Sequence, residues 1–283
     1  MNRLVDKDGK ALICKNVFIS AISGSKSGPT KKEGPLTVGY GGGTTNPEEF
    51  GPELGFGVSM YEQEKEPILI IKTSWGGKSL CVDFRSPSAG PYDFSEGPGK
   101  DYSKLLCHFI RDVRKDLNTP KMPFVIGVMG VGGIASAETE AKVSPRYRGI
   151  KSGFQKAMAA PAAIDEFKAN VFAVKTGEFW PTRLAEIEGK QGKIKTQIKN
   201  EVKKMEKGVD QTKMSKNEKR AFRRKTSAFS KKRQAELVAK ELTEEDNRIL
   251  SLAKSSQGFH YFGCGKTIIQ IGDAFAKALM QSN

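Results

Sequence analysis

The chain has 283 residues and a formal net charge of +15, which is enough length for one large domain, or a domain with an appendage, to bury a substantial core. It contains no apolar run near the roughly 18 residues of a membrane-spanning helix, and its charged first ten residues lack the apolar stretch of a signal peptide. The sequence as written therefore predicts no membrane span and a cytoplasmic location. The alternative is a periplasmic or secreted location if an upstream segment is missing.

The four cysteines are widely scattered. They have neither the C-x-x-C spacing of zinc sites nor the density of a secreted disulfide framework. No group of histidine, cysteine and acidic residues has the spacing of metal ligands. The sequence therefore predicts reduced thiols and no metal site.

Short apolar strands alternate with amphipathic helices along most of the chain. Strands are predicted at residues 17–22, 67–72, 123–128 and 170–175, and helices at 102–117, 148–167 and 266–280. The run at 67–72 is continuously apolar, as in a strand buried on both faces of a parallel sheet. This alternation favours a three-layer α/β fold, in which ligands bind at the carboxyl ends of the strands. The loops at 75–77, 130–133 and 176–180 are therefore expected on one functional edge.

The segment from 183 to 250 interrupts this rhythm. Its apolar residues recur at helical spacing, which predicts one long amphipathic helix and a second one after a break near Gly208. Residues 183–248 contain 20 basic and 11 acidic side chains, so nine of the fifteen net charges lie here. A solvated helical hairpin is the first interpretation. A sequence-independent contact with nucleic acid or another polyanion is the alternative.

Two common catalytic or binding motifs are nearly present, but each lacks one required residue. Gly77-Lys78-Ser79 could end a phosphate-binding loop, but the first glycine of that motif would fall at Lys72. A nucleophile elbow at residues 24–28 would need serine at its centre, where Lys26 stands.

Several stretches, taken together and in order, carry a family pattern. They are Gly-Pro-Leu-Thr-Val-Gly-Tyr at 34–40, Phe-Gly-Pro-Glu-Leu-Gly-Phe-Gly at 50–57, the strand and Trp-Gly-Gly-Lys-Ser loop at 68–80, Asp-Phe-Arg-Ser-Pro-Ser at 83–88, and the segments at 123–128, 170–176 and 260–263. This set resembles the sialate O-acetylesterase and acetylxylan-esterase-like domain of the SGNH hydrolase superfamily. The resemblance implies a flavodoxin-like three-layer α/β/α fold formed by residues 1–181 and 251–283, with residues 182–250 as a basic helical insertion.

The resemblance also implies a chemistry. Enzymes of this family remove acetyl esters from carbohydrates with a serine nucleophile and a histidine base, without metal or organic cofactor. Carried over by position, His260 is the base, and Gly77, or Gly76 beside it, supplies the backbone N–H of the oxyanion hole. Glu53, within the Gly-Pro-Glu stretch, is expected to be structural.

The chain departs from the family pattern at the nucleophile. The family carries its serine in a Gly-x-Ser-Asn motif on the first strand, and that motif does not occur here, so the nucleophile is unknown. A Trp-Phe-Gln-Gly block expected between residues 91 and 102 is also missing. Gln257 stands where the family often has aspartate, and Cys264 where serine is usual. These gaps predict a truncated esterase domain, incomplete at its N-terminus.

Two further functions remain open beside the esterase. The first is an inactive carbohydrate-binding or scaffolding protein, in which Trp75, Trp180 and Tyr261 could stack on a sugar or pack in the core. The second is a polyanion-binding protein that acts through the basic helical segment. Ser25, Ser74 and Ser79 are the nearest substitutes for the missing serine, and each is expected to be an ordinary loop hydroxyl.

Overall fold

The computed structural model describes residues 4–5, 8–25, 28–41, 47–92, 101–141, 150–210 and 212–281. Within these ranges the strands are β1 (Cys14–Ser25), β2 (Gly28–Leu36), β3 (Ile68–Trp75), β4 (Phe124–Val128) and β5 (Val171–Lys175). The helices are α1 (Pro52–Glu64), α2 (Tyr102–Asp116), α3 (Ala137–Ala141), α4 (Ile150–Ala159), α5 (Thr182–Glu206), α6 (Lys216–Glu241), α7 (Glu244–Ala253) and α8 (Gly265–Met280). The mixed α/β class predicted from the sequence is confirmed.

The chain folds into two compact units. The sheet unit consists of Met1–Trp180 and Gly265–Asn283, and the hairpin unit of Pro181–Cys264. Residues 251–264, which the family resemblance grouped with the esterase domain, belong to the hairpin unit. His260 therefore lies in the hairpin unit, whereas Gly76 and Gly77 lie in the sheet unit.

The described strands of the sheet unit form two separate sheets. In the first, β1 is central, pairs antiparallel with β2 and parallel with β3, and places Gly24 beside Trp75 at the carboxyl ends of the two parallel strands. In the second, β4 and β5 pair in parallel. All four strands predicted from the sequence are present.

Strand β3 is not buried on both faces as its apolar sequence predicted. Leu69 is 64% exposed and Ile71 is 72% exposed, while Ile68 and Ile70 on the opposite face pack into the core. The reason is that β3 lies at the edge of its sheet and, among the helices that the structure describes, α1 packs on one of its faces. A continuous apolar run thus belongs here to a strand with one open face.

Helices α1 and α8 pack closely against each other and cover both sheets on one side. Helix α1 contacts β1 and β3, and α8 contacts β4 and β5. The close approach depends on glycines. A Cβ added to Gly272 would lie 2.1 Å from the carbonyl oxygen of Pro52, and one added to Gly55 would lie 2.5 Å from that of Ile269.

Helix α4 is shorter than its apolar pattern indicated. The predicted helix at 148–167 ends as α-helix at Ala159 and continues as a 3-10 turn, Ala160–Ala163. Pro161 explains this end, because proline has no N–H and its ring clashes with the preceding turn of an α-helix. Residues 148 and 149 lie outside the described ranges.

The hairpin unit pairs α5 with α6. Ile194, Ile198 and Leu237 form its apolar core. The break predicted near Gly208 is present, with a φ of +108° at that glycine. Helix α6 then begins at a capping box, in which Ser215 accepts from the Glu218 N–H and Glu218 accepts from the Ser215 N–H.

A buried carboxylate holds α7 against α5. Asp246 has a fully buried side chain, forms an ion pair with Arg183, and lies 3.4 Å from the ammonium of Lys190. It also caps its own helix by accepting from the Thr243 N–H at 3.2 Å. Burial alone would raise the pKa of Asp246, but the Thr243 N–H and the charges of Arg183 and Lys190 outweigh it and hold the pKa below the ordinary value.

We expect the hairpin unit to lose stability in acid through Asp246. Because its folded-state pKa is depressed, its contribution is fully present above the unfolded-state pKa and is lost as the pH falls through the lower, folded-state value. Asp246→Asn should therefore weaken the unit at neutral pH and flatten this acid dependence below about pH 4. Thermal unfolding followed by circular dichroism between pH 2 and 7 measures both effects.

The matched control is Glu245→Gln on the same helix. Glu245 pairs with Arg248 on the surface, where solvent screens the charges, so the change should have little effect. Equal behaviour of the two variants would contradict the role given to Asp246.

Candidate functional site

The loop that carries His260 has an unusual backbone. It is the 3-10 stretch Gly258–Gly263, in which Tyr261 and Phe262 adopt left-handed conformations with φ of 52° and 59°. The Phe262 carbonyl accepts from the N–H groups of Ser255 and Ser256 at 2.9 and 2.8 Å, and the buried Phe262 ring anchors the loop. Non-glycine residues in this region cost energy and persist only where the surroundings enforce them, often at functional sites.

The His260 side chain is exposed but oriented. Its Nδ1 lies 3.1 Å from the Ser256 hydroxyl, and its ring meets the Phe259 ring edge-to-face with centroids 4.4 Å apart. When Nδ1–H donates to the Ser256 oxygen, Nε2 carries the free lone pair and can accept a proton. Ser256 thus orients the ring from the side where hydrolase triads usually have a carboxylate.

Ser256 was not singled out from the sequence. The family resemblance points instead to position 257, three residues before the histidine, where the family often has aspartate. The contact is made from four residues before, across the turn in which the His260 N–H donates to the Gln257 carbonyl at 2.9 Å. A serine four residues before a histidine is too common a pattern to have indicated this contact.

Gly76 and Gly77 follow β3 directly and are exposed. Gly77 has a φ of +74°, and a Cβ at either glycine would meet no atom within 4 Å. The loop is fixed just beyond them, since Asp83 accepts from the Lys78 ammonium at 2.8 Å and from the Ser79 N–H at 2.9 Å. A small group could therefore approach this backbone closely, as an oxyanion hole requires.

The other residues named from the sequence have structural surroundings. The Glu53 side chain is only 8% exposed, pairs with Lys72 at 3.0 Å, and accepts from the Gly51 N–H. The Ser79 hydroxyl contacts Cys81 and Asp83, and neither Ser74 nor Ser79 bonds a histidine. The side chain of Ser25 and residues 93–100, where the Trp-Phe-Gln-Gly block was sought, lie outside the described residues.

The candidate stacking residues are all half-buried. The Trp75 indole lies directly over Gly24, where a Cβ would overlap it, and the Trp180 indole lies against Gly133. Tyr261 stands in the left-handed turn beside His260. For both tryptophans the structure thus shows packing contacts within the sheet unit.

A cleft of about 180 Å³ opens at the carboxyl ends of β4 and β5. It is lined by residues of the 128–135 loop, by α4 and by the start of the 175–177 turn. Gln155 spans it, donating to the Met129 carbonyl at 2.9 Å and accepting from the Ala135 N–H at 3.1 Å. Residues on either side of the predicted 130–133 loop, and Gly177 of the 176–180 loop, therefore border one cleft.

The basic surface of the hairpin unit is concentrated on α6. This helix carries ten lysines and arginines, and among the described residues Arg233 alone of these has an ion-pair partner, Glu201 and Glu236. The outward-facing charges are thus not neutralised within the unit. Polyanion contact through α6 stays a prediction.

No group of three or more histidine, cysteine, aspartate or glutamate side chains in the described ranges is placed to hold a metal ion. None of the helices described here has both the length and the apolar character needed to cross a bilayer. All four cysteines are free thiols, and burial raises the pKa of Cys14 and Cys107.

The chain was compared with models of protein families, with curated proteins and with solved structures, and none of the three comparisons gives a match.

Proposed function

We propose that this chain is a hydrolase of the carbohydrate O-acetylesterase type, in which His260 is the general base. The observation that carries the proposal is the presentation of His260. The ring is exposed next to the left-handed residues Tyr261 and Phe262, and its Nδ1 lies 3.1 Å from the Ser256 hydroxyl. With Nδ1–H as the donor in this contact, Nε2 is free to accept a proton. This geometry supports the role that the sequence resemblance implied.

In the proposed reaction, Nε2 of His260 takes the proton of a serine hydroxyl as its oxygen attacks the acetyl carbonyl. The same proton then passes to the departing sugar oxygen, and water releases acetate from the serine in a second step of the same form. The oxyanion-hole role of Gly77, or of Gly76 beside it, stays a prediction of the sequence resemblance. The nucleophilic serine is not assigned to any residue of this chain.

The orienting group differs from a standard triad in one physical respect. The Ser256 hydroxyl can fix the tautomer and the ring orientation, but it carries no charge. It therefore stabilises the imidazolium less than a buried carboxylate would, because charge-assisted hydrogen bonds are roughly twice as strong as neutral ones.

The flavodoxin-like arrangement belongs to the same proposal. Its support is that α1 and α8 pack together while α1 covers the first sheet and α8 the second. One further parallel strand between the two sheets would join them under this helix layer. In the proposed enzyme that strand carries the serine.

The test supplies the serine. The chain is prepared with an added N-terminal strand carrying a Gly-x-Ser-Asn motif, and its matched control carries Gly-x-Ala-Asn. We expect the serine form to release acetate from O-acetylated sialic acid or acetylated xylose oligomers. We expect His260→Ala to lower that rate by on the order of 10⁴-fold.

Equal rates for the serine and alanine forms would overturn the esterase proposal. In that case, titration of the unextended chain with the acetylated sugars, followed through the His260 imidazole signals in NMR spectra, decides between the remaining functions. Shifted signals would support a carbohydrate-binding protein, and unchanged signals would remove that function as well.

A further inference from the structure

The chain's second histidine also contacts a serine, at a place unrelated to the proposed esterase site. His108 lies on α2, and its Nδ1 is 2.8 Å from the hydroxyl of Ser88 in the 3-10 turn Pro87–Ala89. Asp112, one turn further along α2, accepts from the Ser88 N–H at 2.9 Å. A serine, a histidine and a carboxylate are thus brought together from two elements of the sheet unit.

Hydrogen bonds from Arg85 stabilise the backbone of the turn that contains Ser88. The Arg85 guanidinium donates to the carbonyls of Cys81, Ala89, Gly90 and Pro91 at 2.6 to 3.2 Å. The Ser88 backbone is tied on its other side to Asp112. The backbone that carries the hydroxyl is therefore held on both sides, although the residue itself is exposed to solvent.

The charges around the pair suit proton transfer. The Ser88 N–H above all, and also the Ser88 hydroxyl and the charges of His108 and Lys115, hold the pKa of the Asp112 carboxyl below its usual value. The carboxylate is therefore ionised at neutral pH beside the imidazole. Asp112 lies four residues after His108, on the same face of α2.

We propose that Ser88 is a nucleophilic serine, activated by His108 as its base, that accepts small acyl groups from activated esters such as aryl acetates. The Ser88 oxygen bonds to the acyl carbon while the bond from that carbon to the phenolic oxygen breaks. The hydroxyl proton moves to Nδ1 of His108 and from there to the departing phenolate. Water then hydrolyses the acyl-serine with His108 again as base, so that no oxidant or reductant is needed.

The restriction to activated esters follows from the backbone around the serine. The N–H groups of Ser88, Ala89 and Gly90 already donate to Asp112, Ser86 and Pro87. These amides therefore do not form an oxyanion hole, and the acceleration comes mainly from the base, which typically supplies about 10²–10⁴-fold. A phenolate leaves readily enough for this, whereas a sugar alkoxide does not.

The experiment treats the full chain with 4-nitrophenyl acetate. We expect a burst of about one nitrophenolate per chain, slower turnover after it, and one acetyl group located on Ser88 by peptide mass spectrometry. Ser88→Ala should abolish the burst. His108→Asn, which can still hydrogen-bond the hydroxyl but cannot act as the base, should slow acylation by about 10²-fold or more.

The control is Ser251→Ala. The Ser251 hydroxyl is exposed and donates to the Arg248 carbonyl, without a histidine, so this variant should keep the full burst. Circular dichroism spectra are recorded to check that each variant is folded. Two results would overturn the proposal: no acetyl group on Ser88 in the folded chain, or an equal burst in His108→Asn.

This outcome is separable from that of the esterase proposal. Release of acetate from acetylated sugars by the serine-extended chain, together with no acetyl group on Ser88, would overturn the role of Ser88 while supporting the esterase proposal. An acetyl group on Ser88, together with no release of acetate from acetylated sugars, would support the role of Ser88 and overturn the esterase proposal.

Discussion

Replacing Gly272 with alanine is expected to destabilise the sheet unit by on the order of 3 kcal/mol. The added methyl group would lie 2.1 Å from the Pro52 oxygen and 2.6 Å from the Phe56 nitrogen, both of which are backbone atoms of α1. A rotamer change cannot relieve such contacts, so α1 and α8 must separate. Alanine's intrinsic advantage of about 1 kcal/mol over glycine in a helix is too small to offset this.

Chemical denaturation followed by circular dichroism measures the loss, and Gly153→Ala is the matched control. Gly153 also lies within a helix of the sheet unit, but a Cβ there would meet nothing within 4 Å. This variant should be neutral or gain up to about 1 kcal/mol. A destabilisation of both variants by the same amount would show that the α1–α8 contact is not the cause.

Phe167→Ala is expected to cost about 3–5 kcal/mol of unfolding free energy. Phe167 is fully buried in the core formed by α2, β4 and β5. Its ring also lies 5.3 Å from the Arg111 guanidinium and 5.4 Å from that of Arg114. Arg114 is itself buried, with its guanidinium bonded to the Met122 carbonyl and the Asn170 side chain, so removing the ring leaves this charge beside a cavity.

The same denaturation measurement on Leu117→Ala provides the comparison. Leu117 follows α2 and is 60% exposed, so its truncation should change stability by less than about 0.5 kcal/mol. A domain of this kind typically has only about 5–15 kcal/mol of stability, so Phe167→Ala should unfold at markedly lower denaturant concentration. A midpoint equal to that of Leu117→Ala would contradict the role given to Phe167.

Local sequence patterns predicted the helices and strands of the sheet unit, but they did not predict which of their side chains are buried. The apolar run in β3 predicted a strand correctly, because β-branched residues in a short run favour that conformation. It could not show that Leu69 and Ile71 remain exposed, since exposure depends on which other elements cover each face. The predicted length of helix α4 was wrong for a similar reason. The apolar spacing continued to residue 167, whereas Pro161 indicated that the helix ends earlier.

The candidate site was predictable in part for a similar reason. His260 and Gly77 could be chosen from residue type, glycine context and order along the chain. The partners of both histidines could not, because Ser256 reaches His260 across a local turn and Ser88 reaches His108 from a separate element. Neither pairing leaves a spacing in the sequence that differs from chance.

The two points where the chain leaves the sheet unit and returns to it are adjacent. Thr267, buried at the start of α8, donates its hydroxyl to the Phe179 carbonyl at 3.0 Å. The hairpin unit is therefore an insertion, and contacts within the sheet unit hold its two ends close together. The entropy of closing such a loop grows only logarithmically, by about 0.6 kcal/mol for each doubling of its length. Residues 181–264 could thus lengthen, shorten or change their surface charge in evolution with little effect on the folding of the sheet unit.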